Sequence, residues 1–514
     1  MIPNSAAIAA AAGRATVGGL LRDRAQSQPD RIAVEDRRRS WTYRELNRRV
    51  NRLAHALAAR GIGRGDRVAI LSENRAEYLE LEFAAAKLGA IVPALNWRLG
   101  ADELDYCVAL TTPKAALVSP RHAAALAALD ARPATVVELG EPYEAMLAAA
   151  PETEPVEVAD PEDGLVILYT SGTTGRPKGA VVSQRAFISR VLVFCADYGI
   201  GRDELFPAWA PMFHMASTDL AIGTLLIGGR VALIDGFDLD HIAEVLAGHP
   251  VGWLILMPGV IDRLLERHRA APLAVKGVRM TGAMADLVPR HVIAEVTRAL
   301  AAPYLNSFGA TETGIPPASG ALIPPGEVPE RLSKRQSSMC ELRLVDEADN
   351  DVPDGTPGEV AIRGPTLFSG YWNAPEANAR DFRGGWFHMG DVFVRNADGS
   401  LDFVDRAKYL IKTGGENVYP AEIEQVLLAD PRVADAVVVR RADARWGEVP
   451  VAVVARRDDS LGADELMARC RERLAGYKRP KEIRFVALDE LPRSTTGKIQ
   501  RHEIEARLAA EDAG

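Results

Sequence analysis

Two periodicities alternate along the first three hundred residues of the chain. Between Thr42 and Gly61 the apolar positions Leu46, Val50, Leu53, Ala54 and Leu57 recur at three- and four-residue spacing. Thr42 and Glu45 form a capping box ahead of them, so the pattern predicts a helix that ends at Gly61. The run Arg67-Val68-Ala69-Ile70-Leu71 then predicts a strand, residues 76–88 a second helix, and Gly89-Ala90-Ile91-Val92 the next strand. The order returns later, with Leu220 to Ile227 as a helix, Gly228-Gly229 as its stop and Arg230 to Ile234 as a strand. Such alternation predicts an α/β chain whose stacked, mostly parallel sheets are covered by helices.

From about residue 340 the texture changes. Leu342–Val345 and Glu359–Ile362 read as short strands between Pro/Gly turns, and Asn396-Ala397-Asp398-Gly399 as a hairpin turn before Leu401–Val404. This predicts a β-rich subdomain. Pro420 then opens a helix carrying Ile423, Val426 and Leu427, followed by strands at 436–439 and 451–454, a helix near 463–475 and a strand near 483–486. Residues 1–407 are therefore read as a large N-terminal domain and 408–514 as a small α+β C-terminal domain of ordinary size.

One loop carries chemistry on its face. The apolar run Leu165–Leu168 empties into YTSGTTGRPKG at 169–179, and a second apolar run, Ala180–Val182, leaves it. Gly172, Gly175 and Gly179 let backbone N–H groups approach oxygens, while Thr170, Ser171, Thr173 and Thr174 add hydroxyls and Lys178 a positive charge. Those groups suit a polyphosphate. It is not a Walker A loop, because Lys178 follows a proline and precedes Gly179. A Ser/Gly linker would lack the flanking strands.

Length and charge narrow the class. A chain of 514 residues exceeds what one core organises, and 47% apolar with 25% charged residues is a globular composition. A net charge of −9 with scattered basic residues argues against a nucleic-acid partner. Cys107, Cys195, Cys340 and Cys470 form neither a metal spacing nor a disulfide framework, which fits a reducing cytoplasm. A signal peptide, a bilayer-spanning run and a C-terminal peroxisomal address are not expected.

Behind the loop come PMFH at 211–214, NSFGATET at 306–313, WFHMGD at 386–391, DRAKYLIKTGGENVYP at 405–420 and PRSTTGKIQR at 492–501. In this order the six strings resemble the adenylate-forming superfamily, in its acyl-CoA synthetase branch of fatty-acid and aromatic-acid ligases, over about residues 40–505. The resemblance implies a carboxylate that attacks the α-phosphorus of ATP, and a thiol, usually that of coenzyme A, that attacks the acyl-adenylate. It implies Thr170, Ser171, Gly172, Thr173, Thr174, Gly175 and Lys178 around the outer phosphates, with Thr170 also catalytic. Glu312 is implied as the Mg²⁺ ligand and Thr311 as an α-phosphate contact. Asn306, Ser307, Phe308 and Gly309 fall on the nucleotide, with Phe308 replacing the usual Tyr against adenine. Asp391 and Arg406 fall on the ribose, and Met389 replaces a common Thr. Lys498 is implied as the catalytic lysine that bridges acyl carboxylate and α-phosphate.

The resemblance also implies that the small domain is mobile and turns about Lys408, bringing a Gly-rich loop with Gly414 and Gly415 to the thiol. Trp446 and Lys478 fall where some relatives contact coenzyme A. The acyl pocket is implied near His214, Met215, Ser217, Thr281, Gly282, Asn306 and Ser307. Where amino-acid-activating relatives place an Asp, this chain has His214, which argues against an amino-acid substrate. Arg279 reads as a surface residue. The expected reaction joins a hydrophobic acid, fatty, alicyclic or aromatic, to coenzyme A in fatty-acid or lipid metabolism, with ATP and Mg²⁺ and with a homodimer as a candidate assembly. A stand-alone ligase that loads a carrier-protein thiol and a non-catalytic nucleotide- or acyl-adenylate-binding protein remain as alternatives.

Overall fold

The capping box forms as its residues demand. Thr42 Oγ1 accepts a hydrogen bond from Glu45 N at 3.2 Å, the Glu45 carboxylate accepts from Thr42 N at 2.8 Å, and helix Tyr43–Ala58 follows. This helix belongs to the first of two compact units in the computed structural model of the chain, which describes residues 14–170, 176–257, 259–414, 416–493 and 499–512. The first unit comprises residues 1–341 and 363–383, the second 342–362 and 384–514.

Two large sheets build the first unit. One has eight strands in the order Leu322–Ile323, Tyr304–Leu305, Val278–Thr281, Val251–Leu254, Leu205–Ala208, Arg230–Leu233, Ile32–Glu35, Ser40–Thr42. Its pairings are parallel except at the two edges. The other has six, Thr135–Glu138, Ala115–Val118, Val68–Leu71, Val92–Ala94, Gly164–Thr170 and Lys178–Ser183, with only the last pair antiparallel. Strands such as Val68–Leu71 are buried along their whole length, which is why they read as unbroken apolar runs.

Three elements differ from the pattern. The strand expected at 89–92 begins at Val92, because Gly89 at φ 66° closes the preceding helix Ala76–Leu88. The helix expected from Leu220 begins at Met215, with Ser217, Thr218 and Asp219 buried as helical residues whose polarity hides the apolar face. In the second unit the strands expected at 436–439 and 451–454 run over Val433–Asp443 and Gly447–Arg456, a long hairpin whose ends carry charged side chains.

The second unit also holds a four-stranded sheet, Glu341–Val345, Pro357–Arg363, Phe387–Arg395 and Leu401–Arg406. The boundary expected after residue 407 falls inside this unit. Asp405 Oδ2 accepts from Ala421 N at 2.8 Å, a bond that crosses that point. Among the described residues no helix is long and apolar enough to cross a membrane.

Asp219 and Glu82 are among the buried carboxylates of the first unit. Asp219 pairs with the buried Arg190 at 2.8 Å, and Glu82 accepts from Thr218 Oγ1 at 2.5 Å. Burial, with a smaller contribution from the charge of Asp219, lifts the Glu82 carboxyl to about 8 against the opposing Thr218 hydrogen bond. Folded chains therefore bind more protons than unfolded ones between about pH 4.5 and 8. The stability from this proton is complete below about 4.5 and is lost as pH rises through about 8. In chemical denaturation from pH 5 to 8, the stability of the wild type should fall relative to Glu82→Gln by up to about 1.4 kcal/mol per pH unit. A pH-independent difference between the two proteins would contradict the assignment.

Candidate active site

Ligands of open α/β sheets gather at the carboxyl ends of the strands. Four neighbouring parallel strands of the eight-stranded sheet end together, and the segments leaving them carry the residues singled out by sequence. After Leu205–Ala208 the chain turns through residues 209–213 under the control of Asn74. Its amide donates to the carbonyls of Ala208, Ala210 and Ile234 and its oxygen accepts from Met212 N at 2.9 Å. The turn delivers His214, half-buried, whose Nδ1 accepts from Ala216 N at 3.2 Å and so caps helix Met215–Ile227. Ser217 is fully buried on that helix, and its hydroxyl has no hydrogen-bond partner among the described residues.

The next strands contribute walls. Thr281 is buried and donates to the Leu254 carbonyl at 3.0 Å. Gly282 sits at φ 80°, and a Cβ there would lie 2.2 Å from the Tyr304 ring, so only glycine fits. Asn306 and Ser307 spend their polar atoms on their own surroundings. Lys334 Nζ donates to Asn306 Oδ1 at 2.6 Å, and Ser307 Oγ accepts from Met284 N at 3.0 Å. Phe308 N donates to Ser319 Oγ at 2.8 Å, and Gly309 pairs with Pro317 so closely that a Cβ would meet the Gly314 carbonyl at 2.0 Å. Arg279 lies at the surface, paired with Glu204.

The strands on either side of residues 171–175, Gly164–Thr170 and Lys178–Ser183, pair antiparallel with Thr170 opposite Lys178. Ser171, Gly172, Thr173, Thr174 and Gly175 lie outside the described residues. The Lys178 ammonium stands 3.7 Å from the centre of the Tyr371 ring and 3.5 Å from Asp381 Oδ2. Tyr371 OH donates to Glu312 Oε1 at 2.7 Å. A buried guanidinium fixes the backbone beneath Glu312, for Arg190 donates to the carbonyls of Thr311 and Thr366, both at 3.0 Å. Glu312 Oε2 accepts no hydrogen bond from a described residue, which leaves a carboxylate oxygen, a hard donor, for a hard cation. The described residues contain no group of three or more His, Cys, Asp or Glu able to hold a metal by themselves, so other oxygens, such as phosphate, must complete any shell at Glu312.

In the second unit Asp391 and Arg406 face each other across neighbouring strands, with Nε 3.1 Å from Oδ1. Asp391 is buried, and the bend that presents it is pinned by Glu359. That carboxylate accepts from Gly390 N at 3.1 Å and contacts His388 Nδ1 at 3.3 Å. Lys408 is exposed on the turn Ala407–Tyr409. Gly414, at φ 57°, donates to the Trp446 carbonyl at 2.8 Å, and a Cβ there would meet the Trp446 ring at 2.8 Å. The Trp446 ring is 39% exposed, with the guanidinium of Arg445 4.7 Å from its centre. Lys478 is engaged with the Glu422 carboxylate at 2.8 Å. Gly415 and Lys498 lie outside the described residues.

Four supporting residues escaped the sequence reading: Asn74, Arg190, Glu359 and Tyr371. Asn74 sits just past a strand in Ser72-Glu73-Asn74-Arg75, and Tyr371 in Gly370-Tyr371-Trp372-Asn373. Both strings are turn-like and flank apolar runs, a signal that marks position without marking role.

The family described as AMP-binding enzyme matches residues 21–372, and its companion, the AMP-binding enzyme C-terminal domain, matches residues 422–498. A feruloyl-CoA synthase of Amycolatopsis is 37% identical over 94% of this chain and 97% of its own length. An indoleacetate–CoA ligase of Aromatoleum aromaticum is 34% identical over 94% and 96%. Among solved structures, the o-succinylbenzoate coenzyme A synthetase of Bacillus subtilis in complex with ATP and magnesium ion superposes with a TM-score of 0.81 at 27% identity, over 94% of this chain and 98% of that one. With more than two thirds of its residues inside the first match, the chain belongs to the family of AMP-binding enzymes.

Proposed function

We propose that the protein is an ATP-dependent acid–CoA ligase that activates an aromatic carboxylic acid as its acyl-adenylate. An oxygen of the acid attacks the α-phosphorus of ATP and pyrophosphate leaves. The sulfur of coenzyme A then attacks the acyl carbon, its proton goes to solvent, and AMP leaves. The observation that carries this reading is the meeting of Lys178 and Glu312 at Tyr371, a cation and a carboxylate held apart beside the phosphate hairpin. Charge develops on the pyrophosphate as it departs, and a preoriented cation there lowers the barrier. Glu312 would hold Mg²⁺, which supplies charge neutralisation along the phosphates when bound.

The remaining roles follow the same chemistry. Asp391 and Arg406 suit the ribose hydroxyls, since a buried carboxylate can accept from both and Arg406 holds its orientation. Lys498 is assigned to the α-phosphate and the acyl carboxylate. Gly414 packs directly against the partly exposed Trp446 ring, which offers an aromatic face for coenzyme A. Lys408 is assigned as the hinge about which residues 408–514 turn between the half-reactions. His214, Ser217, Thr281 and Gly282 are assigned to the acid, with an apolar cavity lined by Phe194, Leu220 and Trp253 farther along helix Met215–Ile227. The aromatic class is preferred over fatty acids because two relatives that span nearly the whole chain are named for feruloyl and indoleacetate substrates. The unpaired state of all four cysteines supports a reducing compartment such as the cytoplasm.

Pyrophosphate release across aromatic, alicyclic and fatty acids, each with and without coenzyme A, tests the whole reading. Aromatic acids should give the highest kcat/KM, and coenzyme A should accelerate turnover. Slow turnover rescued only by a phosphopantetheinylated carrier protein would replace coenzyme A as the acceptor.

Lys498→Ala should lower adenylation by about two to three orders of magnitude, as loss of one preorganised charge partner does. Thioester formation from supplied acyl-adenylate should persist. Equal loss of both half-reactions would refute the role. Lys408→Pro should spare pyrophosphate release and block acyl-CoA formation, because proline fixes φ where rotation is required. Parallel loss of the two activities would remove Lys408 as the hinge.

A further inference from the structure

Tyr371 touches both charges of the phosphate site, and its position is heavily determined. Residues 369–372 run along the outer edge of the phosphate hairpin. Ser369 N donates to the Val181 carbonyl, Val181 N to the Gly370 carbonyl and Trp372 N to the Gly179 carbonyl, with Tyr371 opposite Ala180. Asn378 closes on Tyr371 from the other side. Its Oδ1 accepts from Tyr371 N at 2.7 Å and its Nδ2 donates to the Tyr371 carbonyl at 2.9 Å. Phe368 meets the Tyr371 ring edge-on, with centroids 4.9 Å apart, and is itself stacked on Phe382 at 5.3 Å. Phe368 N also donates to the Glu312 carbonyl at 2.8 Å, so the backbone of Glu312 and its carboxylate are tied to the same short segment.

The two contacts of the Tyr371 side chain use different parts of it. The hydroxyl donates to Glu312 Oε1, which leaves Oε2 for a metal. The ring face carries the Lys178 ammonium at 3.7 Å, and Asp381 completes its surroundings at 3.5 Å. A cation over a ring face keeps N–H directions available, so Lys178 can trade the Asp381 carboxylate for a phosphate oxygen without leaving the ring. We propose that Tyr371 is a positioning residue that orients Glu312 toward the metal through its hydroxyl and Lys178 toward the phosphates through its ring. The proposal rests on the roles given above to Glu312 and Lys178.

Two substitutions separate the two contacts. Tyr371→Phe removes the hydroxyl and keeps the face, whereas Tyr371→Leu removes both. Mn²⁺ serves as the metal probe, its binding read by electron paramagnetic resonance in the presence of a non-hydrolysable ATP analogue. Thermal midpoints and steady-state KM values for ATP and the acid are measured on the same samples. Tyr371→Phe should weaken Mn²⁺ binding about tenfold, the scale of a hydrogen bond to a charged group, with the thermal midpoint and the acid KM unchanged. Tyr371→Leu should add a further roughly three- to tenfold rise in the ATP KM, the scale of one cation–π contact. If Tyr371→Leu does not fold, Tyr371→Met, unbranched and apolar with no ring face, reads the face contact instead, by the same rise in ATP KM.

Wild-type Mn²⁺ affinity in Tyr371→Phe would overturn the proposal. So would a loss of affinity accompanied by equal changes in acid KM and thermal midpoint, which would make Tyr371 a packing residue only. A wild-type protein that releases pyrophosphate but binds no Mn²⁺ through Glu312, judged by Glu312→Gln, would overturn the metal role of Glu312 and this proposal with it. A wild-type protein that releases no pyrophosphate from any acid, yet shows the Tyr371→Phe loss of Mn²⁺ affinity, would sink the ligase reading and leave the positioning role standing.

Discussion

The arrangement of the first unit depends on one buried guanidinium. Arg190, on helix Gln184–Tyr198, directs its donors to Asp219, to the Thr311 carbonyl and to the Thr366 carbonyl, three segments distant in sequence. Its planar fork makes this possible, since a lysine ammonium presents all its donors from one point. Among the described residues only Asp219 balances the charge, and the two carbonyls add dipoles. The cost of desolvating such a pair makes the remaining hydrogen bonds essential, and removing one partner of a buried pair commonly costs about 3–5 kcal/mol. Gly314 is bound to the same constraint, because a Cβ there would lie 2.7 Å from Arg190 Cδ. The strand pair that presents Glu312 therefore exists in its form because an arginine lies under it.

Elements governed by local rules were legible in the sequence. The capping box at Thr42 needed only Glu45 and the apolar face behind it, and helix Ala76–Leu88 has the bounds its pattern predicts, though its closing Gly89 reads as part of the next strand. The facing of Asp391 and Arg406, and the contact of Gly414 with Trp446, bring together residues that family resemblance had already paired by role. The start of helix Met215–Ile227 was hidden because Ser217, Thr218 and Asp219 look like a polar loop until Glu82 and Arg190 are known to receive two of them. Asn74 and Tyr371 were hidden for a related reason. Each acts through partners more than fifty residues away, and no periodicity records such partners.

The second unit shows a similar economy around Lys408. The turn Ala407–Tyr409 is exposed, yet its carbonyl is held by Arg440, and the Arg501 guanidinium lies 4.8 Å from the centre of the Tyr409 ring. Arg501 is itself fixed in a buried pair with Glu424. A rotation at Lys408 would give up the Asp405 contact to Ala421 N, which spans the turn, and would keep the Arg440 bond, which moves with the residues behind it. A hinge needs this balance: enough contacts to define a state, and few enough to exchange it for another.

The same balance explains why a tyrosine stands between Lys178 and Glu312. A direct lysine–glutamate ion pair would neutralise both groups and make each a competitor for the ligand of the other. Phosphate would have to displace the carboxylate, and a metal would have to displace the ammonium. An aromatic ring with a phenol at its edge binds the cation through its face and the anion through its hydroxyl, so both remain oriented while neither is consumed. The Asp381 carboxylate shows the alternative in miniature, since it does contact the Lys178 ammonium, at 3.5 Å, and is shared with Arg380 at 2.7 Å. Divided between two cations, it holds Lys178 more weakly than an undivided partner would, as the proposed phosphate role of that lysine requires.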